Sequence, residues 1–192
     1  MSTAIDELKH DHEAIVYALG ILDRMGELAA GAGPAAKGEG SKGEGFNAGE
    51  ALELVGFLKE FADTCHHGKE ETILFPALVQ AGIPDKGGPV GAMLQEHDLG
   101  RRLMRSMTAA LSPTVKAAEF ARVAAEYSAF LRQHIDKENG VLFPMGERLL
   151  APARLEDIHA RFQEHEEKVI GAGRHEELHA MLGKFGQKYG LS

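Results

Sequence analysis

Residues 66–76 read HHGKEETILFP, and residues 134–144 read HIDKENGVLFP. His66/His134, Lys69/Lys137, Glu70/Glu138 and the Leu-Phe-Pro ends coincide at a constant offset of 68. Each copy falls late in a stretch of helical periodicity. The preceding helical stretch in each case carries one early histidine, in LKHDHE (His12) and in LQEHD (His97). His12 and His66 are 54 residues apart, His97 and His134 only 37. The difference is close to the length of the Gly-rich stretch 31–49, GAGPAAKGEGSKGEGFNAG. Two helical hairpins related by duplication, with a flexible loop inserted in the first, account for this pattern.

Working outward, apolar residues recur at three- and four-residue steps, as in Ile5, Leu8, Ile15, Val16, Leu19 and Leu22. A second helix is expected over about 50–80, a third over 90–111, and a fourth up to about Leu150. Ser112 and Pro113 read as the N-cap and first position of the fourth. Helical pattern resumes at Pro152 and is interrupted by Gly171 and Gly173. Strand signals are absent. The expected fold class is all-α: an up-down-up-down four-helix bundle over 1–150, with a C-terminal helical extension, 151–192, packing on it.

The composition narrows the function. A length of 192 residues supports a core without covalent staples, and the one cysteine, Cys65, excludes an internal disulfide or a Cys₄ zinc site. A net charge of −8 argues against a nucleic-acid partner. No apolar run reaches the roughly 20 residues of a membrane span, and the N-terminus lacks a signal-peptide pattern. A soluble, cytoplasmic protein is expected. Its oligomeric state is not readable. The ten histidines are the compositional excess to be explained.

Positions i and i+4 share a helix face, so His66 with Glu70, and His134 with Glu138, each present an imidazole beside a carboxylate. All lie on apolar stripes, as do His12 and His97. Burying unpaired carboxylates costs several kcal/mol each, and a pair of cations removes that cost. His12, His66, Glu70, His97, His134 and Glu138 are therefore the expected metal ligands. Iron suits the nitrogen–carboxylate mixture better than calcium or magnesium, while zinc, manganese and cobalt stay compatible.

The neighbours sort by face. His67 and Glu71 share theirs with Glu60 and Asp63, which assigns them to solvent or to the surroundings of the ligands. His10 lies among Asp6, Glu7 and Glu13, so His12 is preferred as the ligand. Cys65 reads as a small buried thiol, Tyr127 as core with some chance of meeting a bound species. Glu96 reads as a solvated charge, or else a proton relay at the site mouth. His165 shares a stripe with Leu155, Ile158, Phe162 and Val169; it or Glu166 would reach a metal if the last segment crossed the open end of the bundle. His159, His175 and His179 read as surface residues. No catalytic residue is assigned.

With these motifs the chain resembles the hemerythrin-like, HHE cation-binding family over about residues 1–150. The tail 162–179 resembles the C-terminal extension of bacterial members. Ferritin-like bundles differ, since their Glu precedes their His at i,i+3. The resemblance implies two irons bridged by the two glutamates and by an oxo or hydroxo group. If both are six-coordinate, about twelve positions exist, and four histidines leave roughly two open. The family's oxygen carriers use five histidines. Here Arg101 stands one turn after His97 where a fifth would fall, which puts a carrier role in doubt. The implied ligands are O2, peroxide or nitric oxide, with possible oxidoreductase activity. The alternatives are a non-enzymatic iron-binding, storage or sensory module, and a two-zinc hydrolase.

Overall fold

The computed structural model describes residues 3–31 and 45–191. Among the described residues there are six helices and no strand. Helix α1 (Ala4–Ala29) opens on a capping box: Thr3 Oγ1 accepts from the Asp6 N–H, and Asp6 accepts from the Thr3 N–H. Helix α2 spans 48–80 and starts at Asn47, whose side chain accepts from the Gly49 and Glu50 N–H groups. Helix α3 is Pro89–Leu111, α4 spans 117–149, α5 is Pro152–Val169 and α6 is Arg174–Tyr189. The Gly-rich loop expected over 31–49 lies mostly on residues 32–44, outside the described ones; Ala48 and Gly49 already belong to α2.

The fourth helix starts later than expected. Ser112 caps the end of α3, its N–H bonded to the Thr108 carbonyl, and α4 begins only after Lys116. The residue that looked like an N-cap serves the preceding helix. The break between α5 and α6 is where expected: Gly171 and Gly173 have φ of +86° and +79°, a region that favours glycine.

Helices α2 and α4 are not uniformly α. Leu58–His67, Glu70–Leu74 and Glu138–Leu142 wind as π-helix. The two shorter π segments end alike, on Phe75 and Phe143, whose N–H groups bond back five residues to the Glu70 and Glu138 carbonyls. Each Phe precedes a proline. Pro76 and Pro144 have no N–H to offer the carbonyls of Thr72 and Gly140, so α-type bonding cannot continue through them. The duplicated Leu-Phe-Pro motif is thus the point where a widened turn closes and α-helix resumes.

The start of α1 meets the end of α4 (His12 with Asn139, Lys9 with Glu147), and its end meets the start of α4 (Gly26 beside Ala121). Two apolar clusters form the interior. One is built around Leu19, Phe57, Phe61, Met107, Phe120 and Leu131, the other around Ile5, Leu8, Phe75, Leu78, Phe143 and Phe162. Every one of α1 to α4 passes from one cluster to the other at its histidine or glutamate, so the polar residues form a layer between two apolar halves. Helix α5 packs on α1 and α2, and α6 on α1. No described helix is long and apolar enough to cross a membrane.

Gly186 of α6 sits against the Tyr17 ring, whose hydroxyl donates to the Leu191 carbonyl at 3.1 Å. A methyl group there would overlap the hydroxyl. Gly186→Ala is expected to cost about 1–3 kcal/mol in denaturant unfolding and to expose the α6 region to proteolysis; an unchanged midpoint would mean that α6 is not seated on α1.

Candidate metal centre

The six expected ligands come together, each at most 2% exposed. His12 and His66 group with Glu70 and Glu138, and a second group holds His97, His134, Glu70 and His67; in each, the donor atoms all lie within 4.8 Å of one another. Both carboxylates span the groups. Glu70 turns Oε1 to His66 Nε2 (3.7 Å) and Oε2 to His97 Nε2 (3.3 Å). Glu138 Oε2 lies 3.2 Å from His12 Nε2 and 3.3 Å from His134 Nε2, while its Oε1 is 3.9 Å from His97 Nε2.

None of these inward atoms completes a hydrogen bond: Nε2 of His12, His66, His97 and His134 and all four oxygens of Glu70 and Glu138 are buried without a partner. Eight orphaned polar atoms in one dry layer would be costly. Nitrogen and carboxylate donors aimed at two adjoining points fit a pair of cations. Zinc, manganese and iron all accept this set.

The outward nitrogens are held individually. Nδ1 of His12 meets Asn139 Oδ1 at 3.0 Å, His66 meets Asp11 at 3.2 Å, His97 meets Glu71 at 2.7 Å and His134 meets Glu96 at 2.9 Å. Such contacts set the tautomer and aim Nε2 inward. Glu71 is shared with Arg101, and Glu96 with Lys137. Glu96 is therefore tied to a candidate ligand and is not a free solvated charge. Arg101, which stands where a fifth histidine was sought, clamps Asp63 and Glu71.

The fifth imidazole comes from α2 instead. His67 is 3% exposed and stacks on His97 with ring centroids 3.8 Å apart, so of the two positions expected for it, solvent or the surroundings of the ligands, it does not take the first. The reason is the π-helical stretch Leu58–His67: its wider turn advances less per residue, so His66 and His67 both face inward. Burial, and repulsion within the cluster it shares with His97, His66, His134 and Arg101, push His67 well below its ordinary pKa. Burial also opposes charge on His97, but Glu138, Glu70 and Glu71 outweigh it and lift that imidazole to about 11. Glu138 is likewise disfavoured by burial, and His134, His12 and His97 hold it below the usual carboxylate range.

Neither His165 nor Glu166 joins either group. His165 is lodged against Gly68, on α2. Glu166 belongs to an ion network that composition did not suggest: Lys69, fully buried, donates to Glu7 (2.7 Å), Glu166 (2.9 Å) and Asp11 (3.3 Å). Asp11 in turn serves His66. The Lys69/Lys137 match in the repeat was the available signal. Cys65 is buried, with Sγ 3.9 Å from Glu166, and burial pushes its thiol up to about 12, as expected of an inert residue. Tyr127 is core, and His10 is exposed beside Glu13. His159 pairs with Glu7; His175 and His179 are not free on the surface but pack edge-on against Phe61.

The network predicts an acid response. His175 holds Glu166 at about 2 against its burial, with Lys69 adding to the effect, below the ordinary 4.5. Its contribution is complete above 4.5 and lost as the pH falls towards 2. Glu166→Gln should cost about 1 kcal/mol near neutral pH, the screened worth of a partly exposed pair, and the cost should fade across that window. A cost independent of pH would contradict the assignment.

The comparisons with known proteins agree with this geometry. The chain is 36% identical over 104 residues to proteins named iron-sulfur cluster repair protein YtfE from Musicola paradisiaca (strain Ech703) and from Yersinia pestis (strain Pestoides F). The match takes in 50% of this chain and 46% of each relative, so the chain spans less than half the length of those relatives. No solved structure matches. The family model for the hemerythrin HHE cation-binding domain matches residues 3–146. The chain belongs to the hemerythrin HHE cation-binding domain family.

Proposed function

We propose that this chain is a non-haem di-iron protein that binds or reacts with a small oxidant, O2, peroxide or nitric oxide, at the layer between the two apolar clusters. The observation that carries this reading is the convergence of eight buried, partnerless nitrogen and carboxylate atoms on two adjoining points. His12 and His66 would hold one ion and His67, His97 and His134 the other, with Glu70 and Glu138 between them. Bound iron supplies the electron transfer that a small oxidant requires.

The chain's own residues supply the rest. Asn139, Asp11, Glu71 and Glu96 engage the outward Nδ1 atoms and keep each Nε2 directed inward. Lys69 neutralises Asp11 behind His66 and keeps its own proton, because Asp11 and its neighbouring carboxylates outweigh the penalty of burial. The apolar clusters on either side lower the local dielectric and strengthen these interactions. With His67 included, five imidazoles leave about one open position where four would leave two. That is room for a single small molecule. A surface groove lined by Lys9, His12, Glu13, Val16, Ile135 and Asn139 borders the outer side of His12.

An iron-handling or sensory role without turnover is the second reading, favoured by the cluster-repair function in the relatives' name. The two-zinc hydrolase is weaker, because Glu96, its acid–base candidate, is engaged by His134 and Lys137. The single buried thiol suits the reducing cytoplasm.

Iron loaded without oxygen, followed by O2, peroxide or nitric oxide in turn, tests the proposal. A new visible absorption band with consumption of at least one of the three is expected. No band and no consumption with any of them would overturn it. Glu70→Ala should lower bound iron to one ion or fewer per chain, whereas His10→Ala should leave it unchanged.

A further inference from the structure

Helix α6 carries a histidine pair that the bundle-core centre does not use. His175 and His179 stand one turn apart on it, which places both rings on one face. The rings are stacked, with centroids 4.6 Å apart and planes 17° from parallel. Their Nε2 atoms lie 2.9 Å from each other. Both rings stand edge-on to buried Phe61, at 5.3 and 5.6 Å, so packing restrains them before any ligand arrives. Nδ1 of His175 lies 2.9 Å from Glu166 Oε1, which leaves Nε2 as the nitrogen turned to His179.

In the absence of a cation, one Nε2–H donates to the lone pair of the other Nε2. A cation can take the place of that proton once both rings turn their lone pairs off the line between the two nitrogens and towards it. Imidazole nitrogens bind zinc-like cations at about 2.0–2.1 Å, and two such bonds to atoms 2.9 Å apart enclose about 90°. That is the angle between adjacent positions of an octahedron. Glu166 lies beside the other nitrogen of His175 as an ion-pair contact without hydrogen-bond geometry. The groove beside His175 is lined by Asp6, Glu7, Asp11, Glu166 and Glu176, of which Glu7, Asp11 and Glu166 share the Lys69 ammonium.

We infer that His175 and His179 form a further cation site, for one divalent transition ion of the imidazole-preferring class, such as Cu2+, Ni2+ or Zn2+. Water completes its coordination. The site is separate from the core: the contacts that join them run from Glu166 through Lys69 and Asp11 before reaching His66. It does not depend on which metal the core holds.

The test is a Cu2+ titration of the full chain, prepared without a histidine tag and with its core loaded with iron, followed by electron paramagnetic resonance. The double variant His175→Gln/His179→Gln supplies the background of other surface histidines. One copper equivalent above that background, with splitting from nitrogen ligands, is expected. Each single variant, His179→Gln and His175→Gln, should weaken it by about tenfold or more; His179→Gln, which leaves the Glu166 contact in place, should do so with iron content and melting temperature unchanged. No copper above the background, or an affinity unaffected in both single variants, would overturn the inference.

Discussion

The carboxylates of Glu70 and Glu138 lie wholly inside the protein with no hydrogen-bond donor to satisfy any of their four oxygens. An interior tolerates this only when positive charge sits between the groups. The rest of the architecture is organised around that demand. Four helices each bring at least one candidate ligand into the same layer, apolar clusters close it above and below, and a ring of polar side chains braces the imidazoles from outside. Removing the central charge would leave the two halves of the core separated by a layer of unsatisfied groups.

The bracing is unequal around the layer. His97 and His134 lean on carboxylates shared with Arg101 and Lys137, whereas His12 leans on the neutral Asn139. His66 leans on Asp11, whose charge is met by a lysine with no exposure to solvent. The C-terminal helices contribute here, since Glu166 of α5 completes the shell of Lys69 and His175 of α6 holds Glu166. The extension is thereby connected to the centre through charge as well as through apolar packing.

Much of this was legible before any coordinates. The helices, their apolar stripes and six of the seven converging residues follow from the α-helical period, because His66/Glu70 and His134/Glu138 are i,i+4 pairs on buried faces. What failed did so where that period fails. An α-helical wheel left His67 between solvent and the surroundings of the ligands, and the π segment brings it in. Ser112 has the residue type of an N-cap, yet it ends α3, a choice made by the chain on either side. Lys69, Asp11 and Asn139 could not be assigned because their partners lie on other helices, and spacing within one helix carries no record of them. The proline of each Leu-Phe-Pro motif was visible, but its role in closing a widened turn needed the backbone.

The central claim is that the layer holds two metal ions, and that both are iron. Elemental analysis of the chain purified from its native host, without added metal, tests it most directly. Two irons per chain is the result expected. One zinc per chain, or no metal at all, would contradict it.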